Sequence, residues 1–380
     1  MTTHRIRSAF YFLIFLMAVW LPAAQAELAL NLSEGVTEFS RDVYQLHMIV
    51  LWICVAIGVV VFGAMIYSIA KHRKSKGNKP AQFSHSTKAE VIWTIIPIII
   101  LIVMAFPATR VLIKMEDPKD MDMTIKITGY QWKWRYDYLD EGFGFLSTLD
   151  RKSNLARQPD SGIDPETVPN YLLDVDNPLV VPVNTKIRFL LTADDVIHSW
   201  WVPALGWKRD AIPGFINQAW TEILKPGVYR GQCAELCGKD HGFMPVVVKA
   251  VSKEEYRQWV AQMKGEQVQQ AKMDQKTWSK ADLMAKGQEI FETQCASCHQ
   301  KNGQGMPPAF PSLVDSATVK GSLEGLIHTV KFGRPGTAMS AFGNILTDSD
   351  LAAVVTYVRN AFGQRDDTVQ PQDVAAVTQS

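Results

Sequence analysis

The chain lacks a charge imbalance: 39 Lys and Arg stand against 38 Asp and Glu, a formal charge of +1 over 380 residues. That removes a nucleic-acid partner from consideration, because such domains carry a strong basic excess. Charged residues are sparse at 20%, against 47% hydrophobic ones, which excludes a wholly disordered chain. Cysteine is sparse as well, five in all, and four of them form two close pairs, Cys233/Cys237 and Cys295/Cys298. Paired cysteines beside histidines point to metal or cofactor chemistry and away from a disulfide framework. Cys54 stands alone in an apolar run and reads as an inert packing residue. Tryptophan is plentiful, with 11 copies, and the length suits two to three domains.

Long apolar runs are present, and they come first. Residues 1–26 read as a signal peptide: His4, Arg5 and Arg7 open it, an apolar run follows, and Ala24-Gln25-Ala26 is a small-x-small cleavage site. A retained anchor is the other reading, although the run is short for a span. Two longer stretches, near residues 46–70 and 90–111, can each cross a bilayer core of roughly 30 Å. Between them Lys71-His72-Arg73-Lys74-Ser75-Lys76 forms a basic loop, which belongs on the cytoplasmic side. Residues 27–113 are therefore expected to form a two-helix transmembrane hairpin, multi-pass in the lipid, with everything after about Lys114 on the export side.

Residues 114–252 read as β-rich. Thr124-Ile125-Lys126-Ile127-Thr128 alternates, and residues 179–191 hold two apolar runs broken at Pro182 and Asn184. Short strands with Gly and Pro turns predict an all-β sandwich. Residues 150–168, rich in polar residues, Gly and Pro, read as a surface insertion. Tyr130, Trp132, Trp134, Tyr136 and Tyr138 alternate, and a period of two predicts that all five share one strand face. Such a face is either core or a surface for a partner.

Cys233-Ala-Glu235-Leu-Cys237-Gly-Lys-Asp-His241-Gly-Phe-Met244 follows. Two thiolates, an imidazole and a thioether are a soft ligand set that favours copper. His198, in Asp195-Val-Ile-His198-Ser-Trp200, is a second imidazole from a turn between strands. Two cysteines can each bridge two metal ions, so a binuclear site is economical; a Cys233–Cys237 disulfide is the bland alternative. Residues 253–280, polar and weakly helical, read as a linker helix and tether. Cys295-Ala-Ser-Cys298-His299 then matches the pattern of covalent haem c attachment, with His299 as an iron ligand. A thioredoxin-like pair or half a zinc site is the competing reading. The carbonyl of Pro311 is placed to orient His299. Thr347-x-x-Asp350 opens a last helix as an acidic capping box. Met339 is the expected sixth iron ligand, with Met306 and His328 as competitors, and residues 366–380 read as a disordered tail.

Three motifs together resemble subunit II of haem–copper cytochrome c oxidases: Asp195-Val-Ile-His198-Ser-Trp200, Asp210-Ala-Ile-Pro213-Gly214 and the loop at 233–244. Glu90-Val-Ile-Trp93-Thr-Ile-Ile-Pro97 and Gly129-Tyr-Gln-Trp132-Lys-Trp134 add to the likeness, which spans about residues 40–260. Residues 281–365 resemble class I cytochrome c. The resemblance implies a cupredoxin-like sandwich with a dinuclear copper A centre, followed by an all-α cytochrome c domain. It implies copper ligation by His198, Cys233, Cys237, His241 and Met244 and by the backbone carbonyl of Glu235. It also implies a magnesium ion at the Glu235 side chain, electron entry through an exposed Trp132, and a proton path starting at Glu90. Glu90 has a second reading, as the acid of a capping box, Thr87-Lys88-Ala89-Glu90. One departure is Phe215, where many members carry Arg after Pro213-Gly214.

The implied role is electron entry: a cytochrome c or bc1-type donor feeds haem c, the copper pair follows, and subunit I reduces oxygen with proton pumping, with subunit III alongside. The implied place is a bacterial inner membrane, with both metal domains periplasmic. A carrier docking with a different reductase and a copper storage module are the alternatives; the haem motif argues against the second.

Overall fold

A computed structural model gives the fold and describes residues 31–79, 82, 84–158, 161–334 and 337–378. The expected signal peptide lies outside the described residues. Two apolar helices come first, Glu38–Lys71 and Thr87–Glu116, each long and apolar enough to cross a membrane. Both run past their apolar cores. Lys114, near the end of the second, bonds Asp42 at 2.9 Å and Glu38 at 2.5 Å, fastening two helix ends together. The second helix is preceded by Ser86, one residue earlier than expected. Glu90 is thus the fourth helical residue, out of register for a capping box, so that box does not form.

Ten strands build the sandwich: β1 (Met123–Tyr130), β2 (Lys133–Tyr138), β3 (Phe143–Ser147), β4 (Leu179–Pro182), β5 (Lys186–Ala193), β6 (His198–Val202), β7 (Trp207–Ala211), β8 (Asn217–Glu222), β9 (Gly227–Cys233) and β10 (Pro245–Val251). They form two five-stranded sheets, ordered β3-β2-β1-β5-β8 and β4-β10-β9-β6-β7. Strand β5 alternates buried and half-buried residues along its length, as a half-covered sheet requires. Trp134, Tyr136, Phe189 and Trp200 fill the space between the sheets.

The five alternating aromatics do not share a face. The chain reverses at Gln131 and Trp132, and Tyr130 of β1 pairs with Lys133 of β2. In β1 the odd positions point inward, so Tyr130 points out; in β2 Trp134, Tyr136 and Tyr138 point in. A two-residue turn preserves the alternation along the sequence while moving Tyr130 to the other face.

The C-terminal domain is all-α. Helices Lys280–Ile290, Leu323–Phe332 and Asp348–Ala361 enclose Leu283, Phe291, Leu326 and Val355. Thr347 and Asp350 form the expected capping box. A Cβ on Gly287 would meet the Ala353 carbonyl at 2.1 Å, so glycine permits this close helix crossing.

Two expectations are refined here. The linker helix is present, continuous over Lys253–Gln275 and capped by Ser252 and Glu255, but it is not a loose tether. Tyr256 and Val260 bury against the sandwich, and at the far end Gln270 bonds Ser349 at 2.9 Å, so the segment is clamped to both domains. The tail is folded rather than disordered. A short helix, Pro371–Ala376, buries Val374, Val369 and Val377 are buried beside it, and Lys331 Nζ donates to the carbonyls of Val374 at 2.7 Å and Val377 at 2.9 Å. Spaced valines and lysine-bound carbonyls give this polar segment enough burial to order it.

Candidate metal centres

The first centre sits where β6 begins and β9 ends. These strands pair, with Trp200 opposite Cys233, which brings His198 beside the loop at 233–244. Cys233 N–H donates to the Met244 carbonyl at 3.1 Å and Ala234 N–H to that of Ser199 at 2.9 Å, closing the loop at its ends. The sulfurs of Cys233 and Cys237 stand 3.8 Å apart. A disulfide is about 2.05 Å long, so these are two free thiols facing one space. His198 Nδ1 lies 4.0 Å from the Cys233 sulfur, His241 Nδ1 3.5 Å from the Cys237 sulfur, and Met244 Sδ 3.9 Å from the same sulfur. The Glu235 carbonyl is 3.4 Å from Cys233 Sγ. Among the described residues, His198, Cys233 and Cys237 offer ligand atoms all within 4.8 Å of one another.

Neighbours hold these ligands in place. Asp195 Oδ1 lies 2.9 Å from His198 Nε2, which leaves Nδ1 for a metal. Burial opposes a charged His198 ring, but the hydrogen bonds to Asp195 and Cys233 outweigh it and hold its pKa above the usual value. A Cβ on Gly129 would meet the His198 ring at 2.8 Å, so β1 lies close over that imidazole only because glycine is there. The surface insertion also contributes: Arg157 meets buried Asp240 at 3.3 Å and stacks over Phe243 at 4.4 Å, bracing the loop around His241. Each thiol perturbs the other. The Cys237 thiol and His198 stabilise a Cys233 thiolate and push its pKa down, and that thiolate then holds Cys237 up. A paired, readily ionised thiol, two imidazoles and a thioether fit copper better than zinc or magnesium.

The second centre is a cavity of about 340 Å³ lined by Cys295, Cys298, His299 and Met339 with Leu326 and Val355. Both cysteines are free and partly buried. Burial pushes the Cys295 thiol up to about 12 and raises Cys298 as well. His299 Nδ1 bonds the Pro311 carbonyl at 3.1 Å, the arrangement expected, leaving Nε2 as the free ring nitrogen. Burial holds this imidazole below its usual pKa and therefore neutral, the form that ligates iron. Of the competing ligands, Met306 lines a different cleft and the His328 ring packs at a tilt against Phe332, 5.0 Å between centres; neither lines this cavity. An apolar cavity with two free thiols, an oriented imidazole and a thioether fits a covalently held haem.

The remaining candidates are placed as follows. Glu90 is exposed on its helix. The Glu235 side chain is half-buried. Trp132 is half-buried rather than exposed, because its ring packs on the sandwich and its Nε1–H donates to the Cys237 carbonyl at 3.2 Å. Residue spacing had given no role to Asp195 or to Gln131, whose Nε2–H donates to that same carbonyl at 2.7 Å. Asp195 had a readable signal, an acid three residues before a ligating histidine; Gln131 had none.

Residues 25–111 match the family model described as cytochrome c oxidase subunit II, transmembrane domain, and residues 123–251 match its periplasmic domain. Residues 282–358 match a model described as cytochrome c oxidase, cbb3-type, subunit III. A probable cytochrome c oxidase subunit 2 of Rickettsia bellii is 45% identical over 222 residues, 58% of this chain and 79% of that protein. The cytochrome c oxidase subunit 2 of Cereibacter sphaeroides is 37% identical over 236 residues, 60% of this chain and 77% of that protein. Among solved structures, the periplasmic domain of subunit II of cytochrome oxidase of Bradyrhizobium japonicum is 43% identical, covering 40% of this chain and 99% of that one at a TM-score of 0.34.

Proposed function

This chain belongs to the cytochrome c oxidase subunit II family, and we propose that it is the electron-entry subunit of its oxidase. It is a membrane-anchored subunit II with a copper A type site and a fused cytochrome c domain. Subunit II works in assembly with the haem–copper subunit I.

Within that frame, His198, Cys233, Cys237, His241 and Met244 hold a copper pair together with the Glu235 carbonyl. Cys295 and Cys298 would hold haem c covalently, with His299 and Met339 as the residues that would ligate its iron. When bound, both groups supply one-electron carriers. The protein's own part is to fix their ligands, keep them in a largely dry interior and set them close together. Trp132 belongs to the entry route into the copper site, the Glu235 side chain faces a magnesium ion at the subunit I contact, and Glu90 opens a proton path into subunit I. Oxygen reduction and proton pumping reside in that partner, beside a subunit III. The donor is a soluble or membrane cytochrome c, or a bc1-type complex. The site is a bacterial inner membrane with both metal domains periplasmic.

The observation that carries this reading is the convergence of two free thiols, two imidazoles, a thioether and a carbonyl on one space, within reach of a second pocket built for haem c. The test is Cys233→Ser in the purified oxidase. Loss of the copper signal and of turnover, with the haem c spectrum intact, is expected; turnover without that copper would refute the role.

A further inference from the structure

The outer face of the β1–β2 hairpin is not a free surface. Tyr130 and Lys133 lie directly across the ladder from each other, so their side chains share one face. Both are buried, at 3% and 5% exposure, and what covers them is the cytochrome domain. Tyr130 belongs to that domain's apolar cluster. Lys133 Nζ donates to Gln294 Oε1 at 2.9 Å and sits 4.8 Å from the centre of the Phe342 ring. Gln294 directly precedes the haem cysteine Cys295. A second contact lies alongside: Lys239, two residues after copper-site Cys237, donates from Nζ to the Ser297 carbonyl between the two haem cysteines at 2.5 Å.

Gln131 lies in the middle of this contact. Among the described residues lining the haem cavity, Gln131 alone comes from the sandwich. It is held at both ends on the copper side. Its backbone N–H donates to Asp195 Oδ2 at 2.7 Å, and Asp195 in turn holds His198. Its side-chain Nε2–H donates to the Cys237 carbonyl at 2.7 Å. From the cavity wall, one hydrogen bond and the backbone of Cys237 lead to the Cys237 sulfur. Trp132 reaches the same carbonyl but does not line the cavity.

We propose that the turn at residues 130–133 is a fixed internal dock for the cytochrome domain and that Gln131 is the positioning residue joining the haem cavity to the copper loop. The proposal rests on the reading that this chain carries haem c and a copper pair. The step it serves is a single electron transfer. With both groups bound, haem c would give one electron to the copper pair, with no bond formed or broken and no proton moved. The dock makes the domains one rigid unit, so the handover does not wait on diffusion of a tethered carrier.

The test uses the complete purified oxidase, unmutated and as Gln131→Met and Gln131→Glu. Methionine fills the space without a donor; glutamate keeps the length but presents only acceptors to the Cys237 carbonyl. Flash reduction of the haem, followed at the haem and copper bands, reads the internal transfer rate. Each variant is expected to slow it ~10- to 100-fold, the size usual when an outer-shell partner of a metal ligand is lost. The copper EPR pattern and the haem spectrum are expected to stay those of the unmutated complex. An unchanged rate in both variants overturns the proposal. A copper signal altered or lost in both assigns Gln131 to the build of the copper loop and overturns it too. Absence of either signal from the unmutated complex overturns the underlying reading, and the dock's role with it.

Discussion

Asp195→Ala is the substitution whose effect the structure sizes best. The carboxylate bonds His198 Nε2 at 2.9 Å, and accepts from the backbone N–H of Gln131 at 2.7 Å and of Val196 at 2.7 Å. Alanine frees the Nε2 side of a fully buried imidazole and releases the turn at Gln131 at the same time. Loss of such an outer-shell carboxylate costs ~10- to 100-fold in metal affinity. With each tenfold worth about 1.4 kcal/mol, that is about 1.4–2.8 kcal/mol. Two features favour the low end. The Trp134 ring packs against the imidazole at 5.9 Å and limits its rotation, and the Asp195 side chain is 14% exposed, so water can replace part of its bonding. Asp195→Asn, which keeps the shape and one acceptor, should fall between alanine and the unmutated chain. The assay is copper retention in the purified complex against graded chelator, read by metal analysis and EPR, with the haem c band as internal control. Retention curves for Asp195→Ala that overlay the unmutated ones would refute His198 as a ligand oriented through Nδ1.

Met339→Ala should lower the haem c potential and weaken the Met-to-iron absorption band in a redox titration; an unchanged potential would place the sixth ligand elsewhere. Glu90→Gln should slow proton uptake without changing copper content or the thermal midpoint, since no capping box forms there; a lowered midpoint with normal turnover would return Glu90 to a structural role. Lys133 is held down to about 8 by burial. Its native pKa lies below the unfolded one, so below pH 8 both states hold the proton and the buried charge weighs on the fold. Stability contributed by neutral Lys133 appears as pH rises from about 8 towards 10.5. Lys133→Met should therefore raise stability at pH 7 by about 1–3 kcal/mol and lose that advantage at higher pH; a pH-independent difference in denaturant midpoints would contradict this. Deleting residues 369–380 removes three buried valines, Val369, Val374 and Val377, from the packing of the cytochrome domain. Their burial is worth about 1.5–3 kcal/mol each before the entropy of ordering the segment, so a net loss of about 1–3 kcal/mol is expected; an unchanged melting curve would mean the tail does not pack.

Much of this molecule was legible because its chemistry is local. The spacing of Cys233, Cys237, His241 and Met244 lies on one loop, and Cys295, Cys298 and His299 lie on one helical turn, so residue order alone brings those donors together. His198 and Pro311 were legible for a related reason, since each sits in a short motif of its own. What the residues did not disclose depends on non-local packing. The Tyr130-to-Tyr138 alternation looks like one strand because a two-residue reversal keeps the parity of the pattern. Residues 366–378 are too short for a helical period to stand out, yet Lys331 and the buried valines order them. Gln131 is part of a common-looking turn, and its importance comes from its lining the same cavity as Cys295, more than 160 positions later in the chain.

The measurement that bears most directly on the central claim is the combined EPR and optical spectrum of the purified, fully matured complex, with copper and haem analysis. The account predicts two coppers in a mixed-valence signal shared between both nuclei, together with a thioether-bound haem of low-spin His/Met character. A protein with neither signal, whose Cys233 and Cys237 are found oxidised to each other and whose Cys295 and Cys298 likewise, would contradict it.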